Sequence, residues 1–218
     1  MALHLRLHIE PPPMIEPITT TMPVKKACRW NSPYDASGLE PRVSVFMTQP
    51  AYSRICVHSV SDLRNEVGGV MIGEWCVDGE SGKEFIVVDH ALPARHTRQS
   101  AVHLTFTQDS LVAIHDEIDQ RYKGKRIVGW YHTHPRMGIF LSHYDTWLHQ
   151  HFFPEPWQVA LVVEPVSASG GIFIRQKEGQ FDPMRYFGFY ELDGNFGRTM
   201  VYWSNLVPLE EEGAKTNE

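Results

Sequence analysis

The 218-residue chain has little cysteine: Cys28, Cys56 and Cys76 are widely spaced and include no Cys-x-x-Cys pair. This excludes a disulfide framework and a cysteine-based zinc knuckle, and it points to a reducing compartment, here expected to be the cytoplasm. No apolar run approaches the ~20 residues needed to cross a bilayer, so no membrane partner is expected. The start, Met1-Ala-Leu-His-Leu-Arg6, lacks the apolar core and small-residue cleavage site of a secretory signal. Basic charge is not in excess either. Twenty Lys and Arg face 26 Asp and Glu, a net charge of −6, which weighs against a nucleic-acid partner. No internal repeat is apparent. What remains is an ordinary globular composition, 42% hydrophobic and 21% charged, in a chain long enough for one substantial core.

Leu3, Leu5, Leu7 and Ile9 alternate with His4, Arg6 and His8, the period of a half-buried edge strand, and Pro11-Pro12-Pro13 ends it. Residues 14–41 mix Pro, Thr, Ser and Gly without periodicity and read as an irregular lead-in. The expected organisation is an N-terminal extension over 1–41, a single domain over 42–195, and a C-terminal segment over 196–218. The charged end of that segment, from Glu210, is expected to be disordered.

Within the domain, Arg42–Thr48, the apolar stretch up to Gly73, Glu84–Asp89, Ala101–Phe106, Ile127–Tyr131, Trp157–Val163, Gly171–Arg175 and Tyr186–Tyr190 read as strands. Tyr52, Ile55, Ser59 and Leu63 stand near helical spacing, with Cys56 as a small buried residue. A second helix follows Thr107, a candidate cap; Asp109 lies in its first turn and Leu111, Ile114, Ile118 and Tyr122 form its apolar face. A third covers 142–152 and stops at Pro154. The fold class is mixed α/β: a central sheet of six or so strands flanked by about three helices.

The chemistry concentrates where the apolar strand Ile127-Val-Gly-Trp-Tyr131 runs into His132-Thr-His134-Pro135. Side chains at i and i+2 of an extended segment point the same way, so both imidazoles can aim at one point. Pro135 ends the ladder there. Ser142-His-Tyr-Asp145 follows. Two imidazoles and a carboxylate are the ligand number of a catalytic zinc site whose fourth position is left to water. Each piece also has a plainer account. Ser142-x-x-Asp145 fits a helix capping box, and Glu66, before Gly68-Gly69, could be a surface carboxylate. Those two glycines would leave a substrate backbone room to approach Glu66.

Taken together, His132-x-His134, seven intervening residues, Ser142-x-x-Asp145 and the upstream Glu66 in a Glu-x-Gly-Gly-x-x-x-Gly context resemble the JAMM (MPN+) metalloprotease motif. The resemblance runs from about residue 42 to about 190 and includes Gly-Trp-Tyr-His-Thr-His-Pro and the later Val-Ala-Leu-Val-Val-Glu-Pro. It implies a JAB/MPN-type domain with cytidine-deaminase-like layering. It implies Zn²⁺ held by His132, His134 and Asp145, Glu66 as the proton shuttle, and Ser142 as the oxyanion donor. It further implies cleavage after the C-terminal tail of a ubiquitin-like protein, as precursor or conjugate. The short turn at 167–171 and the modest 91–100 loop look like the compact prokaryotic branch, some members of which act alongside bacterial ubiquitin-like conjugation enzymes.

The remaining candidates are assigned no chemistry. His143, His149 and His151 read as surface or packing histidines, and Trp130, Tyr131 and Trp147 as core aromatics. Asp89, His90 and His96 sit near a strand end that could line a cleft. Two other functional readings stand beside the protease: a catalytically silent MPN-type binding scaffold, and a zinc hydrolase acting on a small molecule or a sulfur-carrier adduct.

Overall fold

Among the described residues ten strands pair into one mixed sheet, with three α-helices packed around it. The computed structural model describes residues 15–38, 40–94, 98–99, 104–105, 108–179, 181–192 and 198–209. The first strands are β1 (Ile18–Thr20), β2 (Ala27–Asn31) and β3 (Ser44–Thr48), followed by helix α1 (Gln49–Ser59). A long hairpin comes next, β4 (Gly68–Asp78) and β5 (Glu84–Pro93), then the short pair β6 (Arg98–Gln99) and β7 (Leu104–Thr105), which stands apart from the main sheet. Helix α2 (Gln108–Arg121) leads into β8 (Arg126–Thr133), helix α3 (His143–Phe152) and β9 (Val159–Glu164). The chain finishes with β10 (Ser169–Phe173), β11 (Phe189–Leu192) and β12 (Val207–Pro208).

The main sheet runs β10-β9-β8-β4-β5-β3-β11-β2-β12, with β1 beside the far half of β4. β8 lies inside it, antiparallel to β4 and parallel to β9. A strand paired on both edges and covered on both faces reads as a near-continuous apolar run, here Ile127 to Tyr131, and all of Val128 to Thr133 is buried. Where strands cross this closely there is no room for side chains. A Cβ on Gly129 would stand 2.3 Å from the Val159 carbonyl oxygen, and one on Gly69 would stand 2.1 Å from that of Leu92.

Local signals set the helices. Thr48 caps α1 by accepting a hydrogen bond from the Ala51 N–H, with Pro50 in the first turn, and Ala51, Tyr52, Ile55, Cys56 and Ser59 form its buried face. Ile114 and Ile118 bury α2. The main core gathers the inward faces of the sheet and the helices around Trp130, Tyr131 and Phe153. Phe46, Cys76 and Phe85 form a smaller cluster of their own.

The stretch 14–41, expected to be irregular, instead supplies β1 and β2. Ala27-Cys-Arg-Trp-Asn31 carries no alternation of its own and is extended because β11 and β12 pair with its two edges. The seam is tied by buried Glu191, whose carboxylate accepts from Trp30 Nε1 (3.1 Å), Gln49 Nε2 (2.9 Å), Thr199 Oγ1 (2.5 Å) and the Met200 N–H (2.7 Å). The sheet therefore exceeds the expected six or so strands, and the strand expected at 186–190 begins only at Phe189. The strand expected at Leu3–Ile9, the cap Thr107, the side chain of Leu111 and the tail from Glu210 lie outside the described residues. Cys28, Cys56 and Cys76 are unbridged. Among the described residues no helix is long and apolar enough to cross a membrane.

Because Gly69 has a neighbouring carbonyl where a methyl group would go, Gly69→Ala is expected to lower stability by about 2–3 kcal/mol. Urea unfolding checks this, and an unchanged midpoint would contradict it.

Candidate metal centre

β8 delivers the two histidines. The parallel ladder pairs His132 with Val162 and Thr133 with Val163, and the His134 N–H then bonds the Val163 carbonyl at 2.9 Å. The extended run thus continues past the strand's formal end, and both imidazoles project to the same side. The chain turns immediately afterwards. Arg136 adopts a positive φ of 63°, and its N–H is held at 2.9 Å by the buried carboxylate of Glu164, which also accepts from the Val166 and Ser167 N–H groups.

Helix α3 supplies the third group. Ser142 is its N-cap: the hydroxyl accepts from the Asp145 N–H at 3.1 Å, and the Asp145 carboxylate accepts from the Ser142 N–H at 2.7 Å. This is a capping box, and it does not compete with the site. The same carboxylate lies 3.4 Å from His132 Nε2 and 3.5 Å from His134 Nε2, while the two Nε2 atoms are 2.9 Å apart. All three residues are buried, with their ligating atoms within 4.8 Å of one another.

The fourth element is β4. The Val67 N–H donates to Thr133 Oγ1 and the Val67 carbonyl accepts from the Thr133 N–H, both at 2.9 Å, and Gly68 pairs with His132. That lock places Glu66 at the mouth of the histidine strand, 1% exposed, with Oε1 3.8 Å from His134 Nε2. Glu66 is no surface carboxylate. The role expected for the Gly68-Gly69 pair needs correction, however, at Gly69. That glycine is required by the neighbouring strand, since the atom a Cβ would strike belongs to Leu92.

Burial pushes the His132 imidazole below its ordinary pKa, which keeps it neutral and available as a ligand. Burial works to raise Asp145, but the facing His132, with hydrogen bonds from His132, His134 and Ser142, holds it well below the usual carboxylate range. Two imidazole nitrogens and an ionised carboxylate this close can be satisfied by a shared proton or by one cation. Two His and one carboxylate, buried and convergent, fit a catalytic zinc site with an open fourth position.

The other candidates fall elsewhere. Asp89 pairs with Lys125, which also holds Glu74, and His90 packs on the Tyr122 ring at 4.5 Å. His96 lies outside the described residues. His143 and His151 are exposed. Trp130 and Tyr131 are core, but Trp147 is not: it is 44% exposed and stacks on Tyr144 and His151, because it stands on the outer face of α3. His149 is 1% exposed and accepts a hydrogen bond from Trp130 Nε1 at 3.0 Å. Its signal in the sequence is its place one helical turn after Asp145, on the inward face.

Residues 43–153, about half of the chain, match the model of the JAB1/Mov34/MPN/PAD-1 ubiquitin protease family. The chain belongs to that family. It is 30% identical to the 26S proteasome non-ATPase regulatory subunit 14 of Caenorhabditis elegans, over 64% of this chain and 44% of that one. Identity is 33% to the COP9 signalosome complex subunit 5 of Candida albicans, over 56% of this chain and 20% of that one. It is 29% to the ubiquitin carboxyl-terminal hydrolase RPN11 of Saccharomyces cerevisiae, over 61% and 42%. The matched region thus spans less than half the length of these relatives.

His149 makes stability depend on pH. Burial lowers its pKa from the ordinary 6.5 to about 3, so between those values the unfolded chain binds the proton and the folded one does not. Its contribution is complete above about 6.5 and is lost as pH falls towards 3, at up to ~1.4 kcal/mol per pH unit. The unfolding free energy of His149→Gln is expected to fall less steeply than wild type through that window. Parallel slopes in urea titrations would rule this out.

Proposed function

We propose that the protein is a zinc-dependent isopeptidase or peptidase that cleaves after the C-terminal tail of a ubiquitin-like protein. One observation carries the reading. A buried His132–His134–Asp145 trio converges on one point, and a second carboxylate, Glu66, lies beside it without being part of it. Membership of a ubiquitin protease family supports the substrate class, as does the likeness to the yeast ubiquitin carboxyl-terminal hydrolase.

His132, His134 and Asp145 would hold Zn²⁺, which when bound lowers the pKa of a coordinated water towards ~7 and polarises a carbonyl oxygen. The chain's own residues do the rest. Glu66, next to the trio and shielded from bulk water, accepts the proton of the attacking water and passes it to the departing amine. Ser142 uses a lone pair to cap α3, so its hydroxyl proton remains to be donated to the oxyanion that forms as the amide carbon becomes tetrahedral. Such a donor is worth about 3 kcal/mol of transition-state stabilisation. The ionised Asp145 and neutral His132 need no change of protonation during the cycle. The substrate tail is held extended, as a strand added beside the sheet. The partners are the ubiquitin-like protein, its conjugates and the conjugating enzymes of the same system.

Protein purified without chelator should contain one zinc per chain and cleave a ubiquitin-like fusion, and chelation followed by zinc should abolish and restore that cleavage. Glu66→Gln should retain the metal and lose cleavage by at least about a hundredfold. Metal-free wild-type protein, or a fully active Glu66→Gln, would overturn the assignment.

A further inference from the structure

A metal-binding histidine is ordinarily oriented by an acceptor on its second ring nitrogen. Here His132 departs from that arrangement: its Nδ1 is buried and has no hydrogen-bond partner among the described residues. A histidine ring turns easily about its last torsion, so something else has to set its plane. Trp130, two residues earlier on the same face of β8, lies flat against it, with ring centroids 4.5 Å apart and planes 9° from parallel. The indole is itself fixed from the opposite helix. Its Nε1–H donates to His149 Nδ1 at 3.0 Å, and His149 is stacked on Phe181 at 4.8 Å. An indole nitrogen only donates, so Nδ1 of His149 must be the acceptor and its proton must sit on Nε2.

We infer that His149 is a positioning residue for the metal centre: it holds the Trp130 ring, and the Trp130 ring holds the plane of His132. The relay runs from α3 to β8, the two elements that bring the ligands together, and it takes the place of an acceptor on His132 Nδ1. It rests on the reading of His132 as a ligand. Acceptor capacity at position 149 is what matters, more than an imidazole as such. Glutamine can accept the same bond through its side-chain carbonyl. Leucine fills similar space and cannot.

The test compares wild type with His149→Leu, His149→Gln and Trp130→Phe, each first shown to be folded by thermal denaturation. Zinc dissociation constants are measured by competition with a chromophoric chelator. His149→Leu and Trp130→Phe are expected to weaken binding by about tenfold or more, the double variant no further than the worse single one, and His149→Gln to restore it to within about threefold of wild type. The second readout needs no metal: the imidazole ¹⁵N signals of His132 in chelator-treated protein should be single in wild type and His149→Gln, and broadened or doubled in His149→Leu. A folded His149→Leu with wild-type affinity and an unchanged His132 signal would overturn the inference, and so would His149→Gln weakening the metal as much as His149→Leu. If His149→Leu fails to fold, Trp130→Phe decides through the metal-free His132 signal, since it keeps an aromatic ring on His132 while removing the N–H donor together with part of the indole. A wild-type protein that took up no zinc would sink the proposed function instead, and the metal-free signal of His132 would then decide the role of His149.

Discussion

The carboxylate of Asp145 joins the start of a helix to the convergence of two imidazoles. One side of it accepts the Ser142 N–H that opens α3, while its two oxygens stand 3.4 and 3.5 Å from the Nε2 atoms of His132 and His134. A negative charge at a helix N-terminus is favoured by the exposed N–H groups and the helix dipole. The Asp145 carboxylate is therefore held ionised, in a dry place, chiefly by the facing His132, with the bond that begins the helix adding to the effect. The catalytic reading and the capping reading of Ser142-x-x-Asp145 describe one arrangement from two sides.

Buried carboxylates stand at several joints of this protein. Glu191 is held by indole, amide, hydroxyl and backbone donors and ties the N-terminal strand to the C-terminal segment. Glu164 closes two turns through three backbone N–H groups. Such carboxylates are anchors, each held by several donors. Glu66 faces an imidazole across 3.8 Å, at the end of a strand locked to the histidine strand by the Val67–Thr133 pair. That placement supports the proton-shuttle role proposed for it.

Precision in the centre comes from the sheet. β8 is clamped by β4 on one side and β9 on the other, with glycines where the strands approach too closely for a side chain. A one-residue slip in either ladder would turn both histidines to the opposite face. The site is accordingly built on rigid elements, and only Asp145 arrives by way of a loop.

Much of this was legible beforehand where the signal is local. The i, i+2 spacing of His132 and His134 and the Ser-x-x-Asp cap are set by backbone geometry that any copy of those residues obeys. The sequence patterns at Gln49–Ser59, Gln108–Arg121 and His143–Phe152 likewise announced helices. Illegible was whatever depends on a partner far along the chain. Ala27–Asn31 is a strand only because β11 and β12 flank it. Trp147 faces outward because α3 turns its other side to the core. Gly69 answers to Leu92, and His149 meets Trp130 across nineteen positions. By itself the sequence determined the donor set and the local conformations that aim it. Only tertiary structure decided that strand, helix and Glu66 share one dry point, because burial and long-range pairing are properties of the assembled fold and of no single segment.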